Sequence, residues 1–258
     1  MTGLEVAGLV LAAAAGGAIN AVAGGGTLVT FPTLLFFGTP AIIANATSTL
    51  ALVVGTSGSI YGFRDYLAPI KTWILRFLPV SVLGGLIGSV LLTHTSNRTF
   101  AKLVPFLILF ATVLFLLQGA FRRAVHLGED QSKVASFRFW GAMLFQFGIA
   151  VYGGYFGAGI GILMLAALGF VGLTNIHEMN ALKTSLGSLI NFVAALWFVF
   201  AGLIDWPRAM LMTVGSVVGY YGGAYYSQRI SQRHVRQIVT LIGFALSIVT
   251  FYQQFIHR

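Results

Sequence analysis

The chain has 258 residues, of which 57% are hydrophobic and 8% charged, with a formal net charge of +9 and no cysteine. A soluble domain carries about 25% charged residues, so this composition, with a mean hydropathy of +0.89, excludes a water-soluble globule. The missing thiols exclude disulfides, thiol catalysis, and cysteine-based metal or iron–sulfur sites. Most Lys and Arg residues fall in short connections between apolar segments, a lipid-facing charge bias rather than a nucleic-acid groove.

In chain order, apolar runs are expected near 4–22, 27–37, 44–62, 72–93 and 102–119. The chain up to the start of the first run carries Glu5 at that edge and no Lys or Arg, so the run reads as part of the fold rather than a cleavable signal. A polar stretch, Phe121 to Lys133, follows, and then runs near 138–155, 160–172, 180–200, 208–226 and 236–256. Each full run is long enough to cross about 30 Å of hydrocarbon.

Five runs, a linker and five runs predict a duplication: a first transmembrane repeat over 1–120, a polar cytoplasmic linker over 121–137 and a second repeat over 138–258. A constant offset of 135 supports it, for Gly24 meets Gly159, Gly26 meets Gly161 and Asn45-Ala46 meets Asn180-Ala181. At the same offset Ser81-Val82-Leu83-Gly84 meets Ser216-Val217-Val218-Gly219, and Gly88 meets Gly223.

The second run of each repeat is too short to span and follows a glycine cluster, Gly24-Gly25-Gly26 or Gly157-Ala158-Gly159-Ile160-Gly161. Glycine costs about 1 kcal/mol against alanine in a helix, and backbone freed in lipid must be covered or line a cavity. These runs therefore read as half-helices of a broken or re-entrant element. Counting charges with each opening unit entering and leaving on one side gives ten basic residues on one face and four on the other. The ten-residue face reads as cytoplasmic and both termini as periplasmic. The fold class is thus all-α: a polytopic helical membrane protein of two inverted repeats, about eight spans overall. Eight simple spans with parallel repeats is the alternative.

Several residues could carry chemistry. Gly24, Gly25, Gly26 and Thr27 open one short helix and Gly159 and Gly161 the other; a helix start offers N–H groups and partial positive charge to an anion. Close helix packing is the competing explanation. Asn45, Thr47 and Ser48 crowd the start of one segment, and Asn180 and Thr184 that of its counterpart. Lys183 lies inside an apolar segment, where a charge costs at least about 2.5 kcal/mol; it reads as the cation that neutralises a bound anion, or as a snorkelling residue. Asp65 and Asp205 are boundary residues or proton carriers, and Glu178 is a further proton candidate. The tyrosines read mostly as interface belts, with Tyr152 and Tyr155 bordering the second glycine cluster. No arrangement of a hydrolytic or metal-dependent enzyme appears, and no cofactor or metal is expected.

The stretch from Asn20 through Gly24-Gly25-Gly26-Thr27 to Pro32, with Gly38-Thr39-Pro40 and Asn45-Ala46-Thr47-Ser48, resembles the opening of the sulfite exporter TauE/SafE family. Gly153 to Gly161 and Asn180-Ala181-Leu182-Lys183 resemble that family's second repeat. The resemblance implies a secondary transporter of roughly eight helices in the cell inner membrane. It would move a small sulfur-containing or carboxylate anion (sulfite, sulfonate, sulfoacetate), usually outward, driven by an ion or proton gradient. A passive anion channel and a membrane-embedded scaffold or sensor are the competing classes. The expected partners are the anion, a coupling proton or ion, and lipid.

Overall fold

The computed structural model describes residues 1–22, 25–62, 67–126, 136–170, 176–226 and 232–256. Gly24, Asp65 and most of the expected linker lie outside them. The described residues hold ten α-helices and no strand: α1 (Gly3–Val22), α2 (Thr27–Phe36), α3 (Ala41–Gly62), α4 (Leu67–His94), α5 (Asn97–His126), α6 (Ser136–Tyr155), α7 (Ile160–Phe170), α8 (Ile176–Phe200), α9 (Trp206–Tyr226) and α10 (Gln232–Phe251). A π-helical turn, Tyr252–Ile256, continues α10.

The polarity of the bundle is that of a protein dissolved in lipid. Leu83, Val214, Val218, Leu241 and Ile248 face outward, whereas Thr30, Asn45, Thr47, Ser48, Ser81, Thr112, Gln146 and Ser216 are buried. A soluble fold has the opposite arrangement. Four described helices are long and apolar enough to cross a membrane: Gly3–Ala21, Ala68–His94, Asn97–Leu114 and Glu178–Phe200.

Both short runs are short helices. Between α1 and α2 the backbone turns at Gly25 (φ 96°), and between α6 and α7 at Gly157 and Gly159 (φ 82° and 79°), a conformation that L side chains rarely adopt. The first break folds the chain back on itself. Gly16 of α1 meets the Gly26 backbone and Gly8 meets the Phe37 ring, so α2 returns beside α1 toward the level where α1 began.

Glycine also sets which helices touch along their length. On α9, Gly215, Gly219 and Gly223 face the backbones of Val10, Ala14 and Ala18 in turn, so α9 lies against α1 in the same direction. On α4, Gly84 meets Phe147 and Ala150 while Gly88 meets Val151, so α6 lies along α4 in the same direction. Small residues allow this approach, which replaces the hydrophobic drive that lipid cannot supply. α10 runs antiparallel to α5, with Gly243 against Thr112 and the Phe251 ring 4.9 Å from that of Phe106.

Helix contacts are preserved when the halves are exchanged: α1 packs on α9 as α6 packs on α4, α3 on α9 as α8 on α4, and α2 on α10 as α7 on α5.

Candidate substrate-binding site

The sequence-predicted residues fall on two helix pairs, α2–α3 and α7–α8. In the first, Asn20 near the end of α1 turns its amide oxygen onto the start of α2, accepting from Gly25 N (2.8 Å) and Gly26 N (3.2 Å). Two amide hydrogens that the sequence offers to an anion are therefore already satisfied; a side-chain oxygen does for α2 what a cap does. Asn20 is itself held, its Nδ2 donating to the buried Tyr220 hydroxyl. Tyr220 is thus a core residue rather than part of an interface belt, while Tyr221 next to it is exposed. Thr27 is half-buried at the first turn of α2.

Three polar residues of α3 are buried in the same region. Ser48 Oγ lies 2.6 Å from Thr30 Oγ1, where either hydroxyl can be the donor, and Thr30 Oγ1 also lies 3.2 Å from Gly26 O. Thr47 Oγ1 accepts from Asp205 N at 3.1 Å. Asn45 Nδ2 donates to Tyr155 O at 3.1 Å, and Asn45 Oδ1, buried, has no hydrogen-bond partner among the described residues. Ser48 is hydrogen-bonded within the protein, to Thr30.

The second pair is built differently. Lys183 is half-buried on α8, and its aliphatic stem lies across the start of α7: a Cβ added at Gly161 would stand 3.2 Å from Lys183 Cδ. Lys183 Nζ donates to Asn180 Oδ1 at 3.3 Å. Thr184 is half-buried beside it and Gly159 is buried at the break. At the position 135 residues after Asn20 stands Tyr155, whose hydroxyl is 3.4 Å from Thr95 Oγ1, and among the described residues no α6 side chain bonds the first amides of α7 as Asn20 does those of α2. Ile162 N bonds Gly159 O within the first turn of α7. The ammonium and the helix start together make this the electropositive corner of the set.

Other expectations resolve into structural roles. Tyr152 donates to Ala158 O (2.8 Å) and packs edge-on against Phe110, so it braces the break rather than marking an interface. Asp205 caps α9, accepting from Arg208 N at 3.3 Å, and pairs with the Arg208 guanidinium at 2.7 Å. An apolar groove of about 470 Å³ is lined by Phe110, Leu144, Phe145, Ile149, Tyr152 and Leu163. It holds none of the predicted site residues. Asn20 and the Arg208 cluster were not singled out from sequence. The one available signal for Asn20 was an amide placed five residues before a glycine break.

Residues 9–250 match the family model described as Sulfite exporter TauE/SafE. A probable membrane transporter protein of Haemophilus influenzae is 30% identical over 240 residues, covering 92% of this chain and 90% of that protein. The probable membrane transporter protein ORF9 of a Sinorhizobium species is 28% identical over 247 residues, 93% of this chain and 90% of that protein. The probable membrane transporter protein YfcA of Escherichia coli K12 is 25% identical over 239 residues, 92% of this chain and 86% of that protein. No solved structure matches.

Proposed function

We propose, for a chain that belongs to the sulfite exporter TauE/SafE family, that it is a secondary transporter of a small sulfur-containing anion, held by Lys183 at the start of α7. The coarse function, a multi-pass membrane transporter, follows from the family and the apolar helices. The observation that carries the finer reading is the Lys183 side chain crossing Gly161 while its ammonium reaches Asn180. A cation at a helix N-terminus puts two sources of positive potential on one spot. A sulfite or sulfonate placed there would take hydrogen bonds from Lys183 Nζ, the Asn180 amide, the Thr184 hydroxyl and the first N–H groups of α7, Gly159 to Gly161.

The reading includes alternating access by inverted repeats. Its support is directional. α9 runs with α1, and the pairs Thr47–Asp205, Ala51–Ser216 and Gly55–Tyr220 run α3 with α9 as well. α4 opposes α3, since Asn97, just past the end of α4, bonds Ile42 at the start of α3 (3.1 Å). As α6 follows α4, α1 and its counterpart α6 run in opposite senses. The starts of α1 and α9 then share a face with Asn97. Lys71 and Arg76 of α4, with Arg122 and Arg123 at the end of α5, take the other, which is cytoplasmic by the positive-inside rule. Both termini are periplasmic in this reading, the membrane is the cell inner membrane, and the direction is export.

Flux of labelled sulfite into proteoliposomes tests it. Wild type is expected to give saturable uptake that stops when the driving gradient is collapsed, and Lys183→Ala to lose it while eluting as a folded, monodisperse protein. Wild-type flux in Lys183→Ala would remove the anion site.

A further inference from the structure

The two halves treat one asparagine differently. Asn45 and Asn180 are equivalent at the 135 offset, as are Ser48 and Lys183 three residues on, one helical turn along the same face. In the second half the Lys183 ammonium serves Asn180 Oδ1 at 3.3 Å. In the first half a serine stands at the position of that lysine, and among the described residues Asn45 Oδ1 has no hydrogen-bond partner, on a side chain 1% exposed. Its orientation is fixed, because Asn45 Nδ2 donates to Tyr155 O and a flipped amide would set two oxygens against each other.

Two buried hydroxyls lie at the same contact of α2 with α3. Thr30 and Ser48 bond each other at 2.6 Å, and each oxygen keeps a lone pair. Ser48 is fully buried, as is Thr30. A buried acceptor without a donor costs about 1–3 kcal/mol, and native folds leave few such groups unexplained. Carbonyl and hydroxyl oxygens without a carboxylate suit a monovalent cation better than a divalent one, which takes carboxylates.

We infer that the face of α3 carrying Asn45 and Ser48 binds a sodium-sized monovalent cation, the mobile counterpart of the ammonium that Lys183 builds into the other half. The inference rests on the transporter reading for its use: the cation would be the coupling ion, bound in one half while the anion binds in the other. Unwound backbone carbonyls and half-helix ends hold such ions in broken-helix carriers generally. Here the neighbouring break at Phe156–Gly159, which Asn45 touches through Tyr155 O, offers such backbone.

The probe is sodium itself, with no anion substrate present. Purified protein in detergent is melted in NaCl, KCl or choline chloride at one ionic strength. A ligand that binds only the folded state raises stability by its occupancy, so sodium is expected to raise the melting temperature by several degrees over choline. Asn45→Leu is expected to fold and lose that rise. Ser48→Lys, which supplies the ammonium covalently, is expected to melt at the same temperature in all three salts. Identical wild-type melting in sodium and choline would mean that Asn45 Oδ1 holds only water, and would overturn the inference, as would a sodium response that survives in Asn45→Leu. A sodium response without sulfite flux leaves the cation site standing and removes the sulfite reading. Anion flux that is equal in sodium and choline removes the coupling role and leaves the anion site.

Discussion

Arg208 of α9 grips Glu5 of α1 with two guanidinium nitrogens on one carboxylate oxygen, Nε at 2.9 Å and Nη2 at 2.6 Å. Its Nη1 holds Asp205 at 2.7 Å and its Nη2 reaches Phe37 O at 3.3 Å. One side chain thereby ties the start of α1, the end of α2 and the start of α9. Asp205 N passes the link on to Thr47.

Removing that guanidinium leaves two carboxylates facing each other. Arg208→Ala is expected to cost about 1–3 kcal/mol, at the lower end because the pair is 20% and 13% exposed and partly screened. Glu5→Gln/Arg208→Ala should be closer to wild type than Arg208→Ala alone. Thermal melts of the four-member cycle in detergent measure the coupling; additive losses would show that the ion pair contributes nothing.

Two neighbouring glycines of α9 give opposite expectations. A Cβ at Gly219 would collide with the Ala14 carbonyl of α1, whereas one at Gly222 meets nothing within 4 Å. Gly219→Ala must push two backbones apart and is expected to lose folded, monodisperse protein. Gly222→Ala gains helix propensity and is expected to be neutral or stabilising by up to about 1 kcal/mol. Size-exclusion yield and melting temperature check both.

Asn20 is expected to tolerate only an oxygen. Asn20→Leu leaves the Gly25 and Gly26 amides without an acceptor at a buried break, a loss of about 1–3 kcal/mol for each group. Asn20→Asp keeps the acceptor, adds a charge that the start of α2 favours, and can accept from Tyr220. Equal melting of the two variants would show that Asn20 does not cap α2.

The space between Gly161 and Lys183 is a direct handle on the proposed anion site. Gly161→Ala sets a methyl 3.2 Å from Lys183 Cδ, which the flexible stem can yield to, so folding is expected to survive while the ammonium shifts. The KM for anion flux should rise about tenfold, the equivalent of 1.4 kcal/mol. Gly187→Ala, with its nearest neighbour at 3.8 Å, is expected to leave KM unchanged. An unchanged KM in Gly161→Ala would place the substrate elsewhere.

Much of the fold is legible along the chain, since it depends on local pattern. All ten runs appear as helices, with edges displaced by a few residues, and both short runs are short helices following a glycine turn. The individual roles are less legible. Gly25 and Gly26 read as free donors until Asn20 is seen over them, and Tyr220 reads as an interface residue until its hydroxyl is found against Asn20. A hydrogen-bond partner five or 200 residues away leaves no periodic trace.

By itself the sequence determines a lipid-dissolved helical chain broken at two glycine clusters, because hydropathy and glycine placement are written in residue order. Tertiary structure alone decides which polar groups are spent and which are still open. Ser48 and Lys183 lie 135 residues apart, but a hydroxyl bonded to Thr30 and an alkyl stem lying over Gly161 with its ammonium on Asn180 give the two places different chemistry. That distinction lies in the directions of hydrogen bonds between helices, and those are set only when α2 meets α3 and α7 meets α8.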